Sequence, residues 1–228
     1  MPEFKTSPGT RDILAPHSAR WRAFQEVFAR TVEAAGYSYI IPPMFEDLDV
    51  FLRLGEATEV VTKEMYDFHD KGGRHVALRP EQTASVCRAF VEHRPTTPWK
   101  VWYSGPNFRY EKPQQGRYRQ FDQVGVEALG ANDPLLDAEV IALAAKFYAD
   151  LGLRKVKLSI NTLGDEGDRE KYSQQLSTYL RANEKSLTAE RSATLHRYQL
   201  RALDSKREPD QKVIAAARVT REWLASAA

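Results

Sequence analysis

Near the start of the chain, Trp21, Phe24, Phe28 and Val32 recur at helical spacing with polar and charged residues between them. This pattern predicts one amphipathic helix, with Ser18 as its N-cap and Gly36 as its stop. Residues 37–41 read as a short β-branched and aromatic strand, ended by Pro42-Pro43 because proline cannot supply ladder hydrogen bonds. Residues 64–70 and 75–79 flank Lys71-Gly72-Gly73-Arg74 and predict a hairpin whose second strand ends on Arg79-Pro80-Glu81. A helix over 82–93 and a strand over 99–104 follow, then a second hairpin with arms 108–112 and 120–129. Asp133-Pro134 is a cap followed by proline at the first helical position, and Gly152 closes that helix before a strand over 155–161. Beyond this the chain turns polar and helix-prone, with Tyr172, Leu176 and Tyr179 as an apolar stripe. A boundary is therefore placed near Gly164, giving regions 1–164 and 165–228. Residues 213–228 run out in an alanine-rich helical pattern with no stop signal, which suggests a sequence cut short.

Fewer connecting helices than strands, and several hairpins, predict an α+β fold: a mostly antiparallel sheet flanked by helices. Neither G-x-x-x-x-G-K-[ST] nor G-x-G-x-x-G after a strand occurs, so phosphates would have to be held by side chains. The 228 residues include 33 Lys+Arg against 31 Asp+Glu, a net charge of +2 that restricts any nucleic-acid contact to a local patch. Cys87 is the only cysteine, which excludes an internal disulfide and a cysteine-cluster zinc site and fits a reducing compartment such as the cytoplasm. It is expected to pack within its helix. No histidine has a partner at metal-ligand spacing, so no metal is assigned to a protein cluster, and His93 and His196 are expected at the surface. The start carries no apolar signal stretch, and no later run approaches a membrane span.

Candidate chemistry concentrates on the second hairpin. Alternation puts Asn107, Arg109 and Glu111 on one face of its first arm, and Phe121, Gln123, Gly125 and Glu127 on one face of the second. If the two faces coincide they form a ligand floor offering a cation, an amide and a carboxylate, with Gly125 leaving room for a ligand near the backbone. Arg109 suits a phosphate or carboxylate, whereas Glu127 and Glu81 suit an ammonium group. Cross-strand salt bridging on an exposed sheet face would give the same pattern. The loop 112–119 carries Lys112, Arg117 and Arg119 with Tyr118 and a flexible Gly116. It reads either as a cover for a polyphosphate or as a solvated hairpin tip.

Taken together these residues resemble a known family. The run from Phe108 to Phe121, FRYEKPQQGRYRQF, closely resembles the second motif of class II aminoacyl-tRNA synthetases in its histidyl form. Gly9-Thr10-Arg11-Asp12 resembles the histidyl N-terminal signature, and Gly36-Tyr37 through Pro43 and Glu46 is similar to the first class II motif. Leu78-Arg79-Pro80-Glu81-Gln82-Thr83 resembles the family's amino-acid-binding segment, and Leu203-Asp204-Ser205-Lys206 is again similar to the histidyl enzymes. Lys112 and Asp122 stand where some relatives have arginine and histidine.

The resemblance implies a class II synthetase-like catalytic core over 1–164, followed by a helical insertion-like segment, both incomplete. It implies that Arg109 bridges the α-phosphate of ATP and the carboxylate of L-histidine. Glu111, Arg117 and the backbone near Tyr118 would hold the nucleotide, with Mg2+ accompanying its phosphates and Phe121 stacking on adenine. Glu81, Thr83 and Gln123 would bind the histidine α-amino group, with Gln82 in the same segment, and Glu127 would meet the imidazole. The expected reaction is formation of histidyl-adenylate followed by transfer to tRNA(His) in the full-length enzyme. A homodimer joined through the first motif is also implied. Segments of the family that complete the site and read the tRNA are expected beyond Ala228, so the chain as it stands is expected to bind ATP or histidine weakly and not to charge tRNA usefully. Two other readings fit the same residues: a synthetase-like regulatory paralogue of histidine biosynthesis, and a non-catalytic dimerising fragment.

Overall fold

The computed structural model describes residues 4–53, 64–160, 164, 166–188, 205 and 207–216, and the chain divides into two compact units, Met1–Lys157 and Leu158–Ala228. The first unit opens with α1 (His17–Glu33), β1 (Ser38–Tyr39), β2 (Phe45–Asp47) and the five-residue α2 (Leu48–Leu52). It continues through β3 (Tyr66–His69), β4 (His75–Leu78), α3 (Thr83–His93), β5 (Trp99–Phe108), β6 (Gln120–Leu129) and α4 (Pro134–Asp150). Its strands form two three-stranded sheets, ordered β1-β5-β6 and β2-β4-β3. Among the described residues only β1 runs parallel to its neighbour; the other pairs are antiparallel. This is the α+β arrangement expected from the hairpins.

The stripe on α1 does what its spacing requires. Phe28 and Val32 are buried with Tyr37, Trp102 of β5 and Phe147 of α4, and Phe24 packs against them. Aromatic rings meet edge-on, Phe28 to Phe147 at 5.0 Å and Phe24 to Phe147 at 5.2 Å between centroids. Burial of each such side chain stabilises by about 1.5–3 kcal/mol, so this cluster fixes the helices to the sheet that carries the site. Gly36, at φ +84, ends the helix as expected. Ser18 does not cap it: the helix begins at His17 after Pro16, and the Ser18 backbone N–H already bonds Leu14 O at 3.0 Å. Asp133 does cap α4, accepting from the Leu135 N–H at 2.9 Å.

Three other sequence readings change. The first arm of the second hairpin is one strand, Trp99–Phe108, and not a strand over 99–104 with a separate arm over 108–112. Pro106 is tolerated inside it because its carbonyl points away from β6, towards Arg79 Nε at 2.8 Å. Its missing N–H would lie on that same side, so no ladder bond to β6 is lost. Residues 153–160 form no strand, because no described strand pairs with them, and Val156, Leu158 and Ile160 are exposed; Asn161 lies outside the described residues. Cys87 is exposed, sharing with Val91 the side of α3 opposite the buried Ser85, Val86 and Ala89.

In the second unit, α5 (Glu166–Ala182) buries Tyr172, Leu176 and Leu180 against Leu187 and against Val213 of α6 (Glu208–Ala216), with Tyr179 partly buried alongside. The apolar stripe read from the sequence is this core. Asp210 anchors it, accepting from Ser205 Oγ at 2.6 Å and from the Thr188 N–H at 2.8 Å. The expected helix over 213–228 is seen as far as Ala216; its remainder, His196, Leu203, Asp204 and Lys206 lie outside the described residues.

Candidate active site

Register decides whether the two arms of the hairpin share a face. Tyr103 pairs with Gly125, Gly105 with Gln123 and Asn107 with Phe121, and directly opposed residues point the same way. The faces therefore coincide as far as Asn107: Phe121, Gln123, Gly125 and Glu127 lie on one floor with Tyr103 and Asn107, whereas Arg109 and Glu111 lie beyond the end of β5. The end of β4 and the start of α3 meet this floor. Thr83 Oγ donates to Glu127 Oε1 at 2.7 Å, Tyr103 Oη donates to the same oxygen at 3.3 Å, and Asn107 Nδ2 donates to Gln123 Oε1 at 2.5 Å. Desolvation raises the Glu127 carboxyl above its ordinary range and the nearby Glu81 adds to this, while the Thr83 and Tyr103 hydroxyls oppose it.

Arg79 ties the pieces together. Arg79 is 3 % exposed, and its guanidinium donates to the carbonyls of Pro106 (2.8 Å), Pro42 (2.7 Å) and Pro43 (3.3 Å). Gly105 makes room for it, since a Cβ there would stand 2.6 Å from Arg79 Nη2. The Phe108 N–H bonds Arg79 O at 3.0 Å, and Arg109 Nε bonds Pro80 O at 2.9 Å. The Arg109 guanidinium lies over the Phe121 ring at 5.2 Å, and among the described residues its two terminal nitrogens have no hydrogen-bond partner. Glu81 spends part of its capacity on structure: its carboxylate accepts from the backbone N–H groups of Thr83 (2.6 Å) and Ala84 (2.9 Å), capping α3. Gln82 is buried with Nε2 at 3.4 Å from Gly105 O, while its Oε1 and Asn107 Oδ1 are buried without a hydrogen-bond partner among the described residues.

The loop closes differently. Arg117 pairs with Glu111, Arg119 Nε donates to Glu111 O at 3.2 Å, and the Arg119 guanidinium covers the Tyr110 ring at 3.9 Å. The N-terminal signature holds its base. Gly9 O accepts from the Arg119 and Gln120 N–H groups at 2.8 and 3.2 Å, and a Cβ on Gly9, at φ +81, would meet Arg119 Cγ at 2.6 Å. Arg11 Nη1 donates to Tyr118 Oη at 2.9 Å and stacks over that ring at 4.1 Å. Beside it a concavity of about 340 Å³ opens between Arg11, Gly116, Tyr118 and Phe121.

A model of the histidyl-tRNA synthetase family matches residues 9–222. The chain belongs to this family. It is 47% identical over 232 residues to a histidine–tRNA ligase of Streptomyces avermitilis, covering 100% of this chain and 55% of that protein. Apo histidyl-tRNA synthetase of S. aureus superposes with a TM-score of 0.68 at 33% identity, over 99% of this chain and 55% of that one. A Bacillus halodurans protein described as an ATP phosphoribosyltransferase regulatory subunit/histidyl-tRNA synthetase shares the fold, with a TM-score of 0.64 at 20% identity over 99% of this chain and 66% of that one. The chain spans about half the length of the curated relatives it matches. The fold is that of class II synthetases, as the resemblance implied.

Within this synthetase fold the structure brings Glu81, Gln82, Thr83, Arg109, Phe121, Gln123 and Glu127 together, and sets Glu111, Arg117 and Tyr118 on the adjoining loop. Sequence reasoning did not single out Tyr103 or the anchoring roles of Arg79, Gly9 and Arg11. Tyr103 lies at the right alternation from Asn107, but its place opposite Gly125 depends on register. Arg79 and Gly9 stood inside recognised motifs with no stated task.

Proposed function

We propose that this chain builds the histidine-activating site of a histidine–tRNA ligase that works in the cytoplasm. L-histidine would lie on the β5–β6 floor, with its α-amino group between Glu81, Thr83 and Gln123 and its imidazole against Glu127. Gln82, beneath them, would shape the pocket from below. The observation that carries this reading is the fixed juxtaposition of Arg109 and Glu127. Arg109 Nε is held by Pro80 O and Glu127 Oε1 by Thr83 Oγ, so one short segment, residues 80–83, orients both groups.

ATP fits the remaining groups. The terminal nitrogens of Arg109 suit its α-phosphate, and the concavity at Tyr118 and Phe121 suits its base. Among the described residues no cluster of three ligating side chains could hold a metal ion. Mg2+ would therefore arrive on the nucleotide phosphates, where it shields their charge. The histidine carboxylate attacks the α-phosphorus, the new O–P bond forms as the bond to pyrophosphate breaks, and histidyl-adenylate results. Arg109 neutralises charge at the reacting phosphorus and aligns the attacking oxygen, the two effects that dominate phosphoryl transfer. Transfer to tRNA(His) belongs to the whole protein.

A homodimer fits the surface as well. Tyr39, Ile41, Met44 and Phe45, in and beside the segment similar to the first class II motif, expose large apolar side chains. No helix among the described residues is long and apolar enough to cross a membrane.

The Glu111–Arg117 pair favours a second reading, in which histidine acts only as an effector and the nucleotide side stays closed on itself. Two measurements separate the readings. Histidine-dependent ATP–pyrophosphate exchange, run on the natural protein that carries this chain, is expected to fall ~10²–10³-fold on Arg109→Ala. ATP is expected to raise the melting temperature of the wild type. No exchange and no ATP-dependent stabilisation would overturn the activating site.

A further inference from the structure

Glu127 has two carboxylate oxygens, and the fold treats them differently. Oε1 receives both hydroxyls, Thr83 Oγ at 2.7 Å from the first turn of α3 and Tyr103 Oη at 3.3 Å from β5, whereas Oε2 has no hydrogen-bond partner among the described residues. Tyr103 is buried, and its ring lies over Gly125, its direct partner in the ladder, where a Cβ would collide with ring and hydroxyl. Glycine at 125 therefore makes space for Tyr103 itself. This changes the meaning of Gly125, which the alternation pattern alone presents as room for a ligand.

We propose that Tyr103 is a specificity-determining positioning residue: it closes the floor over Gly125 and, with Thr83, locks Oε1 of Glu127 so that Oε2 alone meets an N–H of the amino-acid side chain. The inference rests on the histidine reading above. A carboxylate held at one oxygen by two donors stays an acceptor at the other, so a ring N–H is rewarded and an isosteric ring without one leaves Oε2 unpaired. Sites built around a buried polar group reject ligands that cannot satisfy it far more strongly than apolar pockets reject an extra methylene. The groups facing Glu127 are Thr83 and Cys87 of α3, Glu81 in the turn before it, and Tyr103 of β5. Of these only the two hydroxyls favour its ionised form, so removal of either raises the carboxyl titration further.

The test has two readouts on wild type, Tyr103→Phe and Thr83→Val. The first is the titration midpoint of the Glu127 carboxyl, followed by 13C NMR without ligand; the second is the affinity ratio of histidine to β-2-thienylalanine, a five-membered aromatic ring with no N–H. The midpoint is expected to rise in both variants, and the preference for histidine to shrink about tenfold, the worth of one hydrogen bond to a charged group. An unmoved midpoint in Tyr103→Phe overturns the positioning role, and a raised midpoint with an intact preference overturns the specificity role. If the wild type shows no preference for histidine, the histidine reading itself fails and takes the specificity role with it, a result distinct from the other two because it appears before any substitution is made.

Discussion

The two ends of the proposed site, one for the amino acid and one for the nucleotide, are built on opposite principles. At the amino-acid end, Thr83 of α3 and Tyr103 bond Glu127, and Asn107 bonds Gln123, over a ten-residue strand pair, while the buried Arg79 holds the strand ends through three proline carbonyls. At the nucleotide end, the loop rests on exchangeable contacts: an ion pair between Glu111 and Arg117, and guanidinium groups stacked on Tyr110 and Tyr118. The first end is preorganised and its geometry depends on packing. The second is solvated, and its cations are free to trade partners when a polyphosphate competes for them. Discrimination between side chains demands fixed groups, whereas neutralisation of a phosphate chain demands only charge within reach, and the fold assigns rigidity accordingly.

Breaking the rigid end at its anchor should cost most. Arg79→Ala leaves three carbonyls without their donor, each a loss of ~1–3 kcal/mol when buried, so a fall of roughly 3 kcal/mol or more is expected in urea unfolding. A loss below 1 kcal/mol would mean that the proline segment is held by something else. Gly125→Ala strikes the same end more locally. Its methyl group collides with Tyr103, and overpacking of this kind costs about 1–3 kcal/mol, read as a lower Tm.

A third measurement sharpens the electrostatics. The folded-state titration of Glu127 lies above its ordinary value of 4.5, mainly through desolvation, so the folded state binds its proton more tightly than the unfolded state does. Stability from this group is therefore fully present below pH 4.5 and is lost as pH rises through the raised value. Glu127→Gln should gain on the wild type across that window and show no pH-dependent difference below it; a gain in the opposite direction would refute the assignment. The smallest effect belongs to the loop. Arg117→Ala removes an ion pair whose arginine side chain is 59 % exposed and whose Glu111 side chain is 9 % exposed, so a stability loss of about 1 kcal/mol is expected alongside a drop in nucleotide affinity. A large stability loss there would erase the contrast between the two ends.

Much of this was legible in the residues. The α1 stripe, the cap at Asp133, the hairpin turn 71–74 and the alternation along 120–129 are local signals, set by 3.6- and 2-residue periods and by the conformational limits of glycine and proline. Motif resemblance added the family and its site residues. What failed was non-local. Ser18 looked like a cap, but the chain before it was already turning; residues 155–160 looked like a strand, but a strand exists only where a partner pairs with it. Cys87 looked buried because apolar composition does not reveal which side of a helix is covered.

By itself, the sequence determined which side chains stand on which face of each element, because backbone periodicity is a property of the local chain. It also carried the expectation that any bound phosphate would be held by side chains, since neither glycine-rich phosphate loop occurs in it. Only the tertiary structure decided that Tyr103 falls opposite Gly125, that Glu127 keeps one oxygen open, and that Arg79 reaches three prolines across two other segments. Those facts depend on strand register and on packing between distant segments, and a shift of one residue in register would turn every one of these side chains to the other face.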